Sequence, residues 1–253
     1  MGRGIGGKFI FPVYCYLVDD LLVDSGAPVA RKEFKKVLEG IQISIVVNTH
    51  GHEDHIGNNR LLSQMKNAKI YAHPKAFPIL ENPRSLALKF YQKFAWGIPE
   101  PSSAIPLPGE IHTNTHVFKV IETPGHSPDH VCLYEESRGW LFSGDLQIGE
   151  KTLVYQPRDD FHAILASLKK LKPLNIQQIF CAHHGVIPGG QERLNEKIEF
   201  MAEVQQKVET LGSQNVPLKE IAARVLGKKD PMAAITGGHM SKVNAVKSIL
   251  HVH

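Results

Sequence analysis

The polar and apolar positions of the first two-thirds of the chain alternate between two periods. Phe9–Val18 and Leu21–Asp24 read as two strands joined by a turn at Asp19-Asp20. Pro28 suits the first turn of a helix that runs to about Glu39 and is closed by Gly40. Ile43–Asn48 is a β-branched run, as expected of a buried strand; Asn58–Lys66 follows as a helix and Lys69–Ala72 as another strand. Period two returns in Val117–Glu122, Val131–Tyr134 and Trp140–Phe142. Asp159–Leu171 is an amphipathic helix that stops before Pro173, and Ile176–Ala182 is a last strand.

Two regions break that rhythm. Residues 74–105 carry five prolines, yet Phe77, Phe90, Tyr91, Phe94 and Trp96 make them too aromatic for a disordered linker. Helices that cover a pocket fit this insertion, and so does plain packing. Beyond Gly190 only helical patterns remain: Glu192–Leu211, Leu218–Leu226 and Ser241–Leu250, the last with Ser241 as its cap. The expected organisation is one domain over residues 1–190 and a helical appendage over 191–253.

Composition narrows the class. At 253 residues, 42% hydrophobic and 21% charged, the chain is an ordinary globular protein. The formal charge of +4 comes from scattered lysine pairs rather than a basic arm. No apolar run reaches membrane-spanning length, and Phe9–Val18 runs straight into two aspartates without a cleavage site. Cys15, Cys132 and Cys181 are odd in number and far apart, which argues for reduced thiols and a cytoplasmic setting.

Fourteen histidines change the picture. Directly after the strand Ile43–Asn48 comes Thr49-His50-Gly51-His52-Glu53-Asp54-His55. Imidazole with carboxylate is the ligand chemistry of zinc, and of iron or manganese where oxygen donors are more numerous. Residues two apart on an extended segment point the same way, so His50 and His52 can grip one ion while Asp54 and His55 serve a second. The spacing is not the helical His-Glu-x-x-His of zinc proteases, so Glu53 is not assigned as a base. Three later strands also end in ligand-bearing turns: Pro124-Gly125-His126, Ser143-Gly144-Asp145 and His183-His184-Gly185. The remaining histidines are expected to be structural or superficial, with His130 nearest the others in sequence and a supporting role behind the ligands open to it. Gly2-x-Gly4-x-x-Gly7 precedes its strand and is discounted as a dinucleotide fingerprint, and no Gly-x-Ser-x-Gly elbow is present.

His-x-His-x-Asp-His followed by these three turns, with Leu22-Val23-Asp24-Ser25-Gly26 upstream, resembles the metallo-β-lactamase superfamily over about residues 9–190. The stretch from Ser143 to Thr152 and the helical tail look most like the β-lactamase-like protein 2 and glyoxalase-II-like branch. The resemblance implies an α/β fold, an αββα four-layer sandwich, with a winged-helix-like C-terminal unit. It implies that His50, His52 and His126 bind one Zn2+, that Asp54, His55 and His184 bind the other, and that Asp145 bridges them. His183 is the alternative to His184, since the last motif of the family reads Gly-His-Gly and the choice here keeps the histidine next to glycine. Asp24 would orient part of the ligand shell.

The implied activity is metal-dependent hydrolysis of a small ester, thioester or lactone, with Asp54 taking up a proton as the leaving group departs. RNA phosphodiester cleavage and a di-iron redox role are the alternatives. No flavodoxin-like domain follows to support the redox role. A β-lactam substrate is not expected, because no secretion signal is read.

Overall fold

The structure is a computed structural model. It describes residues 1–5, 8–146, 148, 151 and 153–252, giving the backbone alone for 3–5 and 8–10. Most of the second half of the 143–152 motif and His253 thus lie outside the described residues.

A short antiparallel ribbon, β1 (Arg3–Ile5) and β2 (Lys8–Ile10), opens the chain. Among the described residues, the first large sheet holds β3 (Tyr16–Val18), β4 (Leu21–Val23), β5 (Ile45–Val47), β6 (Lys69–Ala72) and β7 (Ile105–Pro106) in sequence order. Strands β4 to β7 run parallel and β3 turns back antiparallel at the edge. The second sheet is ordered β13-β12-β11-β10-β9-β8. Its strands are β8 (Glu110–His112), β9 (Val117–Glu122), β10 (Val131–Glu135), β11 (Trp140–Gly144), β12 (Gln178–Cys181) and β13 (Gly185–Pro188).

The alternation of side chains sets the layers. From β4 and β5, Leu21, Val23 and Val47 face inward and meet Phe118, Leu133 and Phe142 of the second sheet. The intervening Leu22 and Val46 face outward, beneath α1 (Arg31–Val37) and α2 (Asn59–Lys66), which contribute Phe34 and Leu62. On the far side Cys132, Tyr134, Leu141 and Ile179 point away from the first sheet and meet Leu165 and Leu168 of α5 (Phe161–Leu171). Helix, sheet, sheet, helix is the four-layer order expected from the sequence. Phe142 lies at the centre, fully buried, with its ring stacked on Phe180 at 4.6 Å and edge-on to Phe118. Phe142→Ala is expected to cost about 3–5 kcal/mol, read as a lowered denaturation midpoint.

The insertion forms α3 (Phe77–Glu81) and α4 (Phe90–Ala95) between short 3-10 turns. After β13 come α6 (Gly190–Ser213), α7 (Leu218–Val225), α8 (Pro231–Thr236) and α9 (Lys242–Ile249). No strand pair that could serve as a wing occurs among the described residues of this tail. Leu194, Met201 and Val208 of α6, with Ile221 and Val246, join α5 and the second sheet in one apolar cluster. Ser241 caps α9, its side chain accepting from the Asn244 N–H, as its sequence position suggested.

Candidate metal centre

Strands β5, β9, β11 and β12 deliver their following turns to one rim of the sandwich. The loop after β5 is pinned from several sides. Asn48 and Asn59 exchange side-chain hydrogen bonds of 3.2 and 2.8 Å. The Gly51 N–H donates to Asp129 Oδ2 at 2.7 Å, and the Gln92 amide of α4 donates to Glu53 Oε1 at 2.8 Å. Burial, with Asp54 beside it, pushes the Glu53 carboxyl up to about 8.

Two sets of ligand-type atoms result, each within 4.8 Å: His50, His52, His126 and Asp145 in one, Asp54, His55 and His183 in the other. Asp145 stands between the sets. Its carboxylate lies 3.3 Å from the Nε2 atoms of His126, His55 and His183, and 3.9 Å from that of His50.

The sequence placed His184 in the second set, and the structure places His183 there. Its Nδ1–H donates to the Pro12 carbonyl at 2.8 Å, which turns Nε2 toward Asp145 and toward Asp54 at 3.6 Å. His184 is the next residue along and is exposed. Both lie in the turn between β12 and β13, and the Pro12 contact, rather than adjacency to Gly185, fixes which histidine faces the centre.

Asp24 lies beneath the loop after β5, against Thr49 and His55. It adopts a left-handed backbone at φ 60°, uncommon outside glycine, and receives four bonds from its surroundings. The Thr49 N–H donates to it at 2.8 Å, the Thr49 hydroxyl at 2.9 Å to Oδ2 and 3.2 Å to Oδ1, and His55 Nδ1 at 2.8 Å. With its hydrogen given to Asp24, Thr49 Oγ1 can accept from His50 Nδ1 at 3.1 Å. Both imidazoles are therefore held through Nδ1, with Nε2 aimed at the centre.

Asp159, which sequence reasoning missed, and His130, for which it left a supporting role open, complete this layer. Asp159 Oδ1 lies 3.3 Å from His126 Nδ1. His130 accepts the Asp145 N–H on Nε2 at 3.0 Å, and its Nδ1 donates to Thr123 Oγ1 at 2.9 Å. Burial and the adjacent His126 press the His130 imidazole down to about 3, so it remains the neutral acceptor that this bond needs. Thr49 and Asp159 carry no sequence signal, because they act across the fold rather than within a motif.

The two turn glycines serve packing rather than close approach to an ion. A Cβ on Gly125, at φ +138°, would meet the Ile164 backbone nitrogen at 2.5 Å. One on Gly144, at φ +47°, would strike His130 Nε2 at 2.5 Å.

The donor set fits a pair of cations. His50 Nε2, His55 Nε2 and Asp145 Oδ1 are buried and lack a hydrogen-bond partner among the described residues. Unpaired polar atoms are costly in an interior, and three that converge on one point are explained by a cation between them. Burial and the surrounding histidines depress His50 and His52, keeping them in the neutral form that ligates. Burial works against the charge on Asp145, but His183 and His55 outweigh it and hold the carboxyl well below the usual range.

The chain matches the metallo-β-lactamase superfamily over residues 10–183 and belongs to it. It is 29% identical to a β-lactamase-like protein 2 homolog of Caenorhabditis elegans over 193 residues, 74% of this chain and 60% of that protein. It is 28% identical to the hydroxyacylglutathione hydrolase GloC of Haemophilus influenzae, over 65% of this chain and 79% of that protein. An Aspergillus fumigatus atrochrysone carboxyl ACP thioesterase is 26% identical, over 78% of this chain and 56% of the other. The chain thus spans little more than half the length of two of these relatives.

Among solved structures, TTHA1623 in a di-iron-bound form is 29% identical, with a TM-score of 0.57 over 72% of this chain and 96% of that one. The family protein TTHA1429 of Thermus thermophilus, at 19% identity, shares the fold with a TM-score of 0.66 over 91% of this chain and 84% of that one.

Proposed function

We propose that the chain is a dinuclear metal hydrolase that cleaves a thioester, with small esters and lactones as chemically related substrates. The observation that carries this reading is the convergence of three buried ligand-type atoms without a hydrogen-bond partner, two from the loop after β5 and one from the turn after β11. His50, His52 and His126 would hold one cation and Asp54, His55 and His183 the other, with Asp145 placed between the two sets. The relatives named for acylglutathione and acyl carrier thioester hydrolysis favour the thioester. When bound, such a pair supplies a hydroxide at neutral pH, by lowering the pKa of water from 15.7 to roughly 7, and an electrophile for the scissile carbonyl.

The chain's own residues do the rest. Trp96 and Met240 wall a cavity of about 50 Å3 beside His52, His126, Asp145 and His183, small enough to keep bulk water from the reacting carbonyl. Asp54, whose Oδ2 faces His55 and His183, is the carboxylate placed to pass a proton to the departing sulfur. Zinc is the metal proposed first, on the ligand chemistry; iron fits the same donors and is the metal of the TTHA1623 structure. A reducing, cytoplasmic setting belongs to the same proposal and rests on three free cysteines.

Asp24→Ala is expected to weaken metal affinity by roughly 10–100-fold, measured by competition against a chelator. The function itself is tested by elemental analysis of the purified protein beside a panel of thioesters, lactones and RNA oligonucleotides. Two metal ions per chain with thioester turnover is the expected result. Full hydrolysis by a metal-free preparation would overturn the reading, as would cleavage of RNA alone with binding that falls steeply as salt rises.

A further inference from the structure

The candidate ligands all lie at or before residue 183, yet what holds them in place does not end there. Three polar residues, Ser241, Asn244 and Ser248, stand at the i, i+3, i+7 spacing that puts them on one face of α9. The neighbouring face, with Ala245, Val246 and Ile249, enters the apolar cluster shared with α5.

The polar face meets residues 155–161, which lead into α5. Ser241 and Tyr155 exchange backbone hydrogen bonds of 3.0 and 3.1 Å, and the Asn244 amide donates to the Tyr155 carbonyl at 3.0 Å. Further along the same face the Ser248 hydroxyl is used twice. It accepts from the Phe161 N–H and donates to the Asp159 carbonyl, both at 2.8 Å. Phe161 opens α5, so its N–H has no carbonyl of that helix to bond. A serine inside a helix ordinarily returns its hydroxyl to the carbonyl four residues back; Ser248 directs donor and acceptor to another segment instead.

The opposite flank of this segment is fixed to the turn that carries His126. The Asp160 N–H donates to the Gly125 carbonyl at 2.8 Å, and Gly125 packs so closely on α5 that a Cβ there would meet the Ile164 nitrogen. Between the two flanks, Asp159 Oδ2 accepts from the Gln156 N–H at 2.8 Å, which leaves Oδ1 directed at His126 Nδ1, 3.3 Å away. A continuous path of printed bond lengths therefore runs from α9 through the Asp159 backbone to a ligand-type imidazole.

We propose that Ser248 is a positioning residue of the metal centre: by holding the Asp159 backbone it sets that carboxylate against His126, so that α9 completes the support of one ion and not of the other. The inference rests on the dinuclear reading above. His126 shares its set with His50 and His52, so the effect falls on that ion. The other set is held from elsewhere, His55 by Asp24 and His183 by the Pro12 carbonyl.

The test measures zinc affinity at both sites of the full chain by competition against a chelator. Ser248→Ala is expected to weaken one of the two ions roughly tenfold and to leave the other unchanged. Ser248→Thr keeps the hydroxyl and is expected to bind both ions as wild type does. Asp159→Asn is expected to weaken the same ion by roughly 10–100-fold. Because the serine acts through that carboxylate, adding Ser248→Ala to Asp159→Asn is expected to bring little further loss. Ser213→Ala, at the exposed end of α6, is expected to change neither site. A Ser248→Ala variant that loses thermal stability while both affinities stay at wild type overturns the inference, as does equal weakening of both ions or a loss that adds in full to that of Asp159→Asn. Equal loss in Ser248→Thr would show that the hydroxyl is not the agent. If the wild-type chain binds no zinc, the dinuclear reading fails by itself, and the His126 imidazole resonances then decide the role of Ser248. Their displacement in Ser248→Ala supports it, and unchanged resonances remove it.

Discussion

Asp145→Asn is expected to lower kcat by about three orders of magnitude or more and to reduce bound metal from two ions per chain to one or none. The size of the effect follows from geometry. Among the described residues no other carboxylate lies within 3.9 Å of imidazole nitrogens from both ligand sets, since Asp145 faces His50 and His126 on one side and His55 and His183 on the other. The amide is isosteric but neutral, and one of its two oxygen positions becomes an N–H donor aimed at other donors. The fold is expected to survive, because the backbone N–H of residue 145 still donates to His130 Nε2 and the flanking β11 still packs through Phe142. Circular dichroism and the denaturation midpoint check the fold, elemental analysis the metal, and thioester turnover the rate. A variant that retains two ions and wild-type kcat would remove the shared carboxylate from the scheme.

The sandwich was legible wherever a strand is long enough for its alternation to register. Val117–Glu122 and Lys69–Ala72 match the observed β9 and β6 residue for residue, and α5 begins one residue after its cap, Asp160. Three of the four strands at the edges of the two large sheets were not read, the exception being β3, which falls within Phe9–Val18. β7 is a two-residue pairing that ends in Pro106, β8 buries only Ile111, and β13 runs from Gly185 to Pro188 with one buried position. None offers a hydrophobic period, because an edge strand is defined by pairing with a neighbour far away in the chain. The six-residue α8 fails for the same want of length, although Asp230 caps it and Pro231 opens it.

The candidate site divides along the same line. Residues that bind by their own chemistry stand out, because histidines and aspartates are costly to gather without a reason. Those that act by holding others do not. Thr49 is a threonine among many until Asp24 and His50 are seen on either side of its hydroxyl. Asp129 looks like a turn residue, yet it accepts from Gly51 across 78 positions of sequence. His239, expected to be structural or superficial, pairs with Tyr91 of α4 across 148 positions.

His183 and His184 allow a sharp comparison, since the two adjacent, chemically identical residues are expected to differ by orders of magnitude. His183→Ala removes the only imidazole that reaches Asp54 and Asp145 from β12, so loss of one metal ion and a fall in kcat of about 10³-fold are expected. His184→Ala, at an exposed turn, is expected to change kcat by less than threefold. The conservative His183→Gln separates ligation from packing. It keeps a side chain able to donate to the Pro12 carbonyl but supplies no imidazole nitrogen, so it should fold as well as wild type and remain inactive. Full activity in His183→Ala, together with loss of metal in His184→Ala, would mean that the turn after β12 is one residue out of register and that adjacency to Gly185 selects the ligand after all.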